Sequence, residues 1–87
     1  MDVFQAMRVF TRVVDAGTFT AAAQTLGLST AQVSRQVSEL ESHLQARLLQ
    51  RTTRRLGLTE VGSRYLERCR HILSELEDAG AEAGGAY

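Results

Sequence analysis

A mainly α fold, with three short helices and a two-stranded hairpin followed by one long helix, is what this sequence of 87 residues predicts. Apolar residues recur at helical spacing in four separate stretches. Polar residues suited to helix capping stand in front of them. A short run with alternating apolar positions and a basic tip lies between the third and fourth stretches. The length allows one small domain with a modest core, and 44% hydrophobic with 23% charged residues and no proline suits packed helices rather than disorder.

In the first stretch, Asp2 and Gln5 have the spacing of a capping pair, and Val3, Met7, Phe10 and Val14 then mark one helical face. Gly17 is the natural stop. Thr18 caps a second helix with Phe19, Ala22, Ala23 and Leu26 at i, i+3, i+4 and i+7, and its alanines imply close packing. After a turn at Gly27 and Leu28, Ser29 with Gln32 forms a capping box, and Val33, Val37, Leu40 and Leu44 give the third helix its buried stripe. The short Gly-containing turn between the second and third helices has the form of a helix-turn-helix unit. Residues 48–52 are expected to extend as a strand, 53–55 to turn and 56–58 to return, which makes a wing. Thr59 and Glu60 open the fourth helix with an oxygen cap and an acid in its first turn. Along it Val61, Tyr65, Leu66, Cys69, Ile72, Leu73 and Leu76 make an apolar face too broad for one neighbour, so it is expected to touch helix 1 on one side and a partner chain on the other. The organisation is a winged helix-turn-helix over 1–58, a linker and dimerisation helix over 59–79, and a Gly/Ala-rich end over 80–87 read as a fraying tail or the point where a larger protein was cut.

The formal charge is zero, but its distribution is uneven. All ten basic residues are arginine; residues 29–71 hold eight of them against four glutamates, and residues 72–87 hold four acids and no arginine. Such segregation fits a binding region for an anion followed by an acidic end. A lone Cys69 fits a reducing compartment; with no secretory signal and no apolar run of bilayer length, the expected location is the cytoplasm, without a membrane partner.

With the third helix's stripe buried, Ala31, Arg35, Ser38 and Ser42 fall on the opposite side, flanked by Gln32, Ser34 and Glu39. That face is slim enough for a major groove. Arg35 matches the acceptor pair of guanine, Gln32 matches adenine, Ala31 matches a thymine methyl, and Ser34 and Ser38 suit phosphate oxygens. Two bland explanations compete: an i,i+4 ion pair of Arg35 with Glu39, and a purely capping role for Gln32. Arg51, Arg54 and Arg55, with Thr53 between them, cluster at the hairpin tip, from which guanidinium groups reach phosphates or an adjacent minor groove. The main rival reading is a winged-helix protein-interaction module, which should present aromatic or aliphatic anchors where this face has Ala31, Ser34, Ser38 and Ser42. An enzyme fits poorly: His43, Cys69 and His71 do not make a zinc set without a fourth donor, and no Gly-rich phosphate loop is present.

The ordered set "FTAAA", "VSRQV", "LE", "L..RLLQRTTRR" and "LTEVG" within residues 19–62 resembles the winged helix-turn-helix domain of LysR-type transcriptional regulators. The resemblance implies sequence-specific binding of double-stranded promoter DNA. It places the base-reading and phosphate-contacting positions on Thr30, Ala31, Gln32, Ser34, Arg35 and Gln36, the minor-groove arginine on Arg54 and a backbone contact on Arg51. It also implies a homodimer through the fourth helix, with Tyr65, Leu66, Cys69, Ile72, Leu73 and Leu76 as interface candidates, and a tetramer and RNA polymerase as further partners of the full protein. No cofactor is implied for this domain; a small-molecule effector would bind a C-terminal domain outside this sequence. Thr30 stands where the family often has Gln, Gln45 where Gly is common, and Leu49 where Phe is common.

Overall fold

The computed structural model describes residues 1–50 and 56–84. Helices α1 (Val3–Ala16), α2 (Phe19–Leu26) and α3 (Thr30–Leu44) lead into an antiparallel pair, β1 (Leu49–Gln50) and β2 (Gly57–Leu58), and then α4 (Glu60–Glu82). The strands pair Leu49 with Leu58 and Gln50 with Gly57. Among the described residues the pairing begins at Leu49 rather than at the predicted 48, because Leu48 is drawn into the core; Leu56 packs against that core, and residues 51–52 of the predicted strand lie outside the described residues. The predicted turn, with Arg51, Thr53, Arg54 and Arg55, lies outside the described residues.

The hub is α1, which packs against α2, α3 and α4. Three neighbours require a wider face than one stripe, and Ala6, Val9 and Val13 are buried with Met7 and Phe10, while Val3 and Val14 only flank the core. Ala22 and Ala23 bring α2 close, and Val33, Val37 and Leu40 supply the α3 stripe. The starts follow the sequence: Asp2, Thr18, Ser29 and Thr59 each accept a backbone N–H three residues on. Gly17 ends α1 in the left-handed region at φ 86°.

The fourth helix runs to Glu82, three residues past the predicted end at 79, so the tail does not begin at Gly80. One glycine costs a helix only about 1 kcal/mol, and the good formers Ala79, Ala81 and Glu82 carry the turn onward. Termination falls at Gly84, whose φ is 83° and whose N–H donates to the Ala81 carbonyl.

Candidate nucleic-acid interface

The exposed face of α3 begins at a tight turn. Gly27 takes a left-handed conformation (φ 69°), and Leu28 and the extended Ser29 complete the change of direction. The capping box is reciprocal: Gln32 N–H donates to Ser29 Oγ at 3.1 Å, and Ser29 N–H donates to Gln32 Oε1 at 2.8 Å. The Gln32 side chain is therefore held at the helix start with its carbonyl oxygen engaged and its NH2 outward. That favours it as a donor over a forked contact to adenine.

Thr30, Ala31, Gln32, Arg35 and Ser42 are exposed, and Ser34, Gln36 and Ser38 are half-buried beside them. Arg35 makes no ion pair among the described residues, so the i,i+4 pairing with Glu39 is not formed. Its guanidinium stands beside a depression that Met1, Asp2 and Gln5 line from the α1 side and Gln32, Gln36 and Glu39 from α3. The helix thus offers one free forked cation among small side chains, with its N-terminal dipole end also facing out.

The path from α3 into the wing depends on Gln45, Glu41, Thr59 and Gly62. Gln45 caps α3 in the left-handed region (φ 52°), which explains why glycine suits that position. Glu41, 6% exposed, turns inward and its Oε2 accepts N–H groups from Leu48 at 2.8 Å and Leu49 at 3.2 Å, while Arg47 Nη1 approaches Oε1 at 3.4 Å. A signal was present: Glu41 lies four residues after Val37 and eight after Val33, on the buried stripe. On the far side of the wing, Thr59 N–H donates to the Leu48 carbonyl at 3.0 Å, its hydroxyl donates to the Arg47 carbonyl at 2.6 Å, and Gly62 N–H donates to Thr59 Oγ1 at 2.9 Å. Gly62 permits this approach, since a Cβ there would lie 2.0 Å from the Leu48 oxygen.

The broad face of α4 divides in two. Tyr65, Leu66 and Leu73 pack on the chain's own core, with the Tyr65 ring 6.1 Å from that of Phe10. Cys69 is fully buried in the same core, which corrects its assignment to a dimer surface: it sits on the side of α4 that α1 covers. Burial pushes its thiol up to about 11, partly offset by a hydrogen bond with Tyr65, and burial followed by the neighbouring Cys69 pushes the Tyr65 hydroxyl up to about 12. Ile72 and Val61 are exposed, and Leu76 is half-buried beyond the core cluster. Arg70 fixes α4 to α1 through a forked contact with Asp15 at 2.8 and 3.4 Å. Among the described residues no three ligating side chains gather as a metal site, and no helix is long and apolar enough to cross a membrane.

A slim, outward helix entered through a tight turn, with a strand pair fastened to its far end, defines a winged helix-turn-helix domain. Residues 4–63 match the family described as "Bacterial regulatory helix-turn-helix protein, lysR family", and the chain belongs to it. The chain is similar to an HTH-type transcriptional repressor of Pseudomonas aeruginosa, at 51% identity over 98% of this chain and 27% of that protein. It is similar also to the HTH-type transcriptional activator AaeR of Escherichia coli, at 47% identity over 90% of this chain and 25% of the relative. Among solved structures, the BenM DNA-binding domain in complex with catB site 1 DNA superimposes with a TM-score of 0.89, at 30% identity, over 93% of this chain and 86% of that one. CbnR, a LysR family transcriptional regulator, superimposes with a TM-score of 0.87, at 35% identity, over 95% of this chain and 28% of that one. The chain spans about a quarter of the length of the curated relatives it matches. Its role is that of a DNA-binding regulatory domain, and the family is one of regulators rather than enzymes.

Proposed function

We propose that this chain reads double-stranded DNA in a sequence-specific manner, as the DNA-binding part of a dimeric regulator acting in the cytoplasm. The observation that carries the reading is the α3 face: exposed, built of small polar side chains and centred on an Arg35 free of ion pairs among the described residues. A protein-docking face needs a large apolar anchor; α3 itself exposes none, Phe4, Val61 and Ile72 lie on other helices, and among the described residues Met1 alone of the exposed large hydrophobic residues borders this face, beside Arg35.

In this reading α3 enters a major groove. Arg35 makes the forked contact to guanine, and Thr30, Ala31 and Gln32 meet neighbouring base edges at the helix start. Ser34, Gln36 and Ser38, half-buried at the flanks, hold phosphate oxygens and set register. Arg51, Thr53, Arg54 and Arg55 belong to the wing tip by sequence, with Arg54 entering the adjacent minor groove. The dimer forms through the side of α4 that its own core leaves open, with Ile72 and Leu76 as the contact residues. Two α3 helices then address a roughly palindromic site with half-sites one DNA turn or a multiple apart. Effector sensing, a tetramer and contact with RNA polymerase belong to a longer protein with a C-terminal domain.

Hydroxyl-radical footprinting on a duplex enriched from a random pool tests the reading. Two protected patches related by two-fold symmetry, about 10 base pairs or a multiple apart, are expected. Uniform weak protection would contradict it. In sedimentation, Leu76→Glu should shift the protein toward monomer, and unchanged mass would remove the α4 interface.

A further inference from the structure

We propose that Glu41 is a positioning residue for DNA binding: its buried carboxylate sets the wing at a fixed angle to the recognition helix, so that major-groove and minor-groove contacts are made in one register. The role rests on the DNA-binding reading above. Glu41 is the one buried charged residue among those described. It sits in the last turn of α3, yet its oxygens do not serve α3. They reach across the bend at Gln45, Ala46 and Arg47 to the N–H groups of Leu48 and Leu49, where the wing begins. The backbone contacts at that bend all run back to α3: the Gln45 N–H to the Glu41 and Ser42 carbonyls and the Ala46 N–H to the Glu41 carbonyl, the last at 3.1 Å. Three residues after a helix end make a pivot, and the side-chain bridge is what spans it.

A buried carboxylate is a costly way to hold two strands of chain together, and apolar packing often serves stability as well or better. What the carboxylate adds is direction. One oxygen accepts two successive N–H groups, which a neutral amide in the same place does less well, and those bonds fix orientation as well as distance. The opposite edge of the wing is held by Thr59, whose N–H donates to the Leu48 carbonyl and whose hydroxyl donates to the Arg47 carbonyl, while Gly62 N–H donates to Thr59 Oγ1. The wing root is therefore clamped from α3 through its N–H groups and from α4 through its carbonyls. With only 6% of its surface exposed and its carboxylate engaged at the wing root, Glu41 is not a DNA contact in this proposal; it acts through the arginines that follow it in sequence.

The test is a double-mutant cycle on the whole chain, read as affinity for an enriched duplex with A/T-rich flanks. Arg54→Ala, in the wing segment, is expected to weaken wild-type binding about tenfold and the Glu41→Gln protein less than about twofold, a coupling of the size found for residues in one network. Arg35→Ala should weaken both backgrounds by the same factor, since α3 itself is unmoved. A merely structural Glu41 would give additive losses with Arg54, and that result overturns the proposal. So does an Arg54→Ala protein that binds as wild type. Circular dichroism checks that Glu41→Gln is folded; if it is not, the same cycle on Glu41→Asp decides, with additivity again the overturning result. Failure of the wild-type chain to prefer the enriched duplex would remove the DNA reading itself and this role with it, and the wild-type titration alone separates that case from the others.

Discussion

Replacing Gly62 by alanine adds one methyl group at the point where α4 meets the wing. The new carbon would lie 2.0 Å from the Leu48 oxygen and 2.8 Å from its carbonyl carbon. Carbon and carbonyl oxygen settle at roughly 3.3 Å or more, so the two segments must part by about an ångström. The obstacle is backbone, which no rotamer change relieves. Separation stretches the Thr59 N–H bond to Leu48 and the Thr59 hydroxyl bond to Arg47. Their loss costs about 1 kcal/mol each, and residual crowding adds about 1–3 kcal/mol. Alanine returns about 1 kcal/mol through helix propensity, which leaves a net destabilisation of roughly 2–4 kcal/mol. In a domain of this size each kcal/mol moves the melting temperature by about 4–8 °C, so thermal melts followed by circular dichroism should shift down by roughly 8–32 °C. A Gly62→Ala protein that melts within about 2 °C of wild type would refute the close approach and the clamp built on it.

Gln45→Gly should stabilise the protein by up to about 1 kcal/mol, because glycine adopts the left-handed cap without strain and partly repays this in unfolded-state entropy; a lower denaturation midpoint would show that Gln45 makes a compensating contact. The Arg70 guanidinium bonded to Asp15 holds its carboxyl below the usual range. That contribution is present above the ordinary value of 3.8 and is lost as pH falls through the lowered one. Both side chains are about half exposed, so Arg70→Ala should cost under about 1 kcal/mol at neutral pH, and a cost that persists undiminished at pH 2 would contradict an ionic origin. For Cys69 and Tyr65 the sign is opposite: their raised values give stability that is complete below the ordinary thiol value of 9.0 and lost as pH rises through about 11 and 12. At pH 8 the Cys69 thiolate is roughly one part in a thousand, so an aromatic disulfide reagent should react only as fast as the chain opens; prompt reaction would contradict its burial.

Local rules carried most of the fold. Caps at Asp2, Thr18, Ser29 and Thr59, stops at Gly17 and Gly27, and the stripe of α3 each depend on residues three or four apart, and the chain displays such spacings directly. The outward face of α3 was legible for the same reason, as the complement of its stripe. What the sequence hid depends on segments far apart in the chain. Gly62 reads as an ordinary glycine in a helix until the Leu48 carbonyl is placed against it. Glu41 stands in register with the buried stripe, but what its carboxylate would bond there is not visible until the N–H groups of Leu48 and Leu49 are placed against it. The apolar face of α4 is broad, but periodicity does not tell which side α1 takes, so Cys69 was placed among the interface candidates and belongs to the core. Gln45 is a third case: its left-handed backbone is not a glutamine preference, and only the resemblance, with glycine common there, pointed to it.

The central claim is that Arg35 reads a base from an α3 seated in the major groove. Fluorescence anisotropy of the wild-type and Arg35→Ala proteins on an enriched and a scrambled duplex tests it most directly. Wild type should prefer the enriched duplex, and Arg35→Ala should lose roughly 5- to 150-fold there, corresponding to about 1–3 kcal/mol for a forked base contact, with a much smaller loss on the scrambled one. Equal losses on the two duplexes would reduce Arg35 to a phosphate contact and contradict the account.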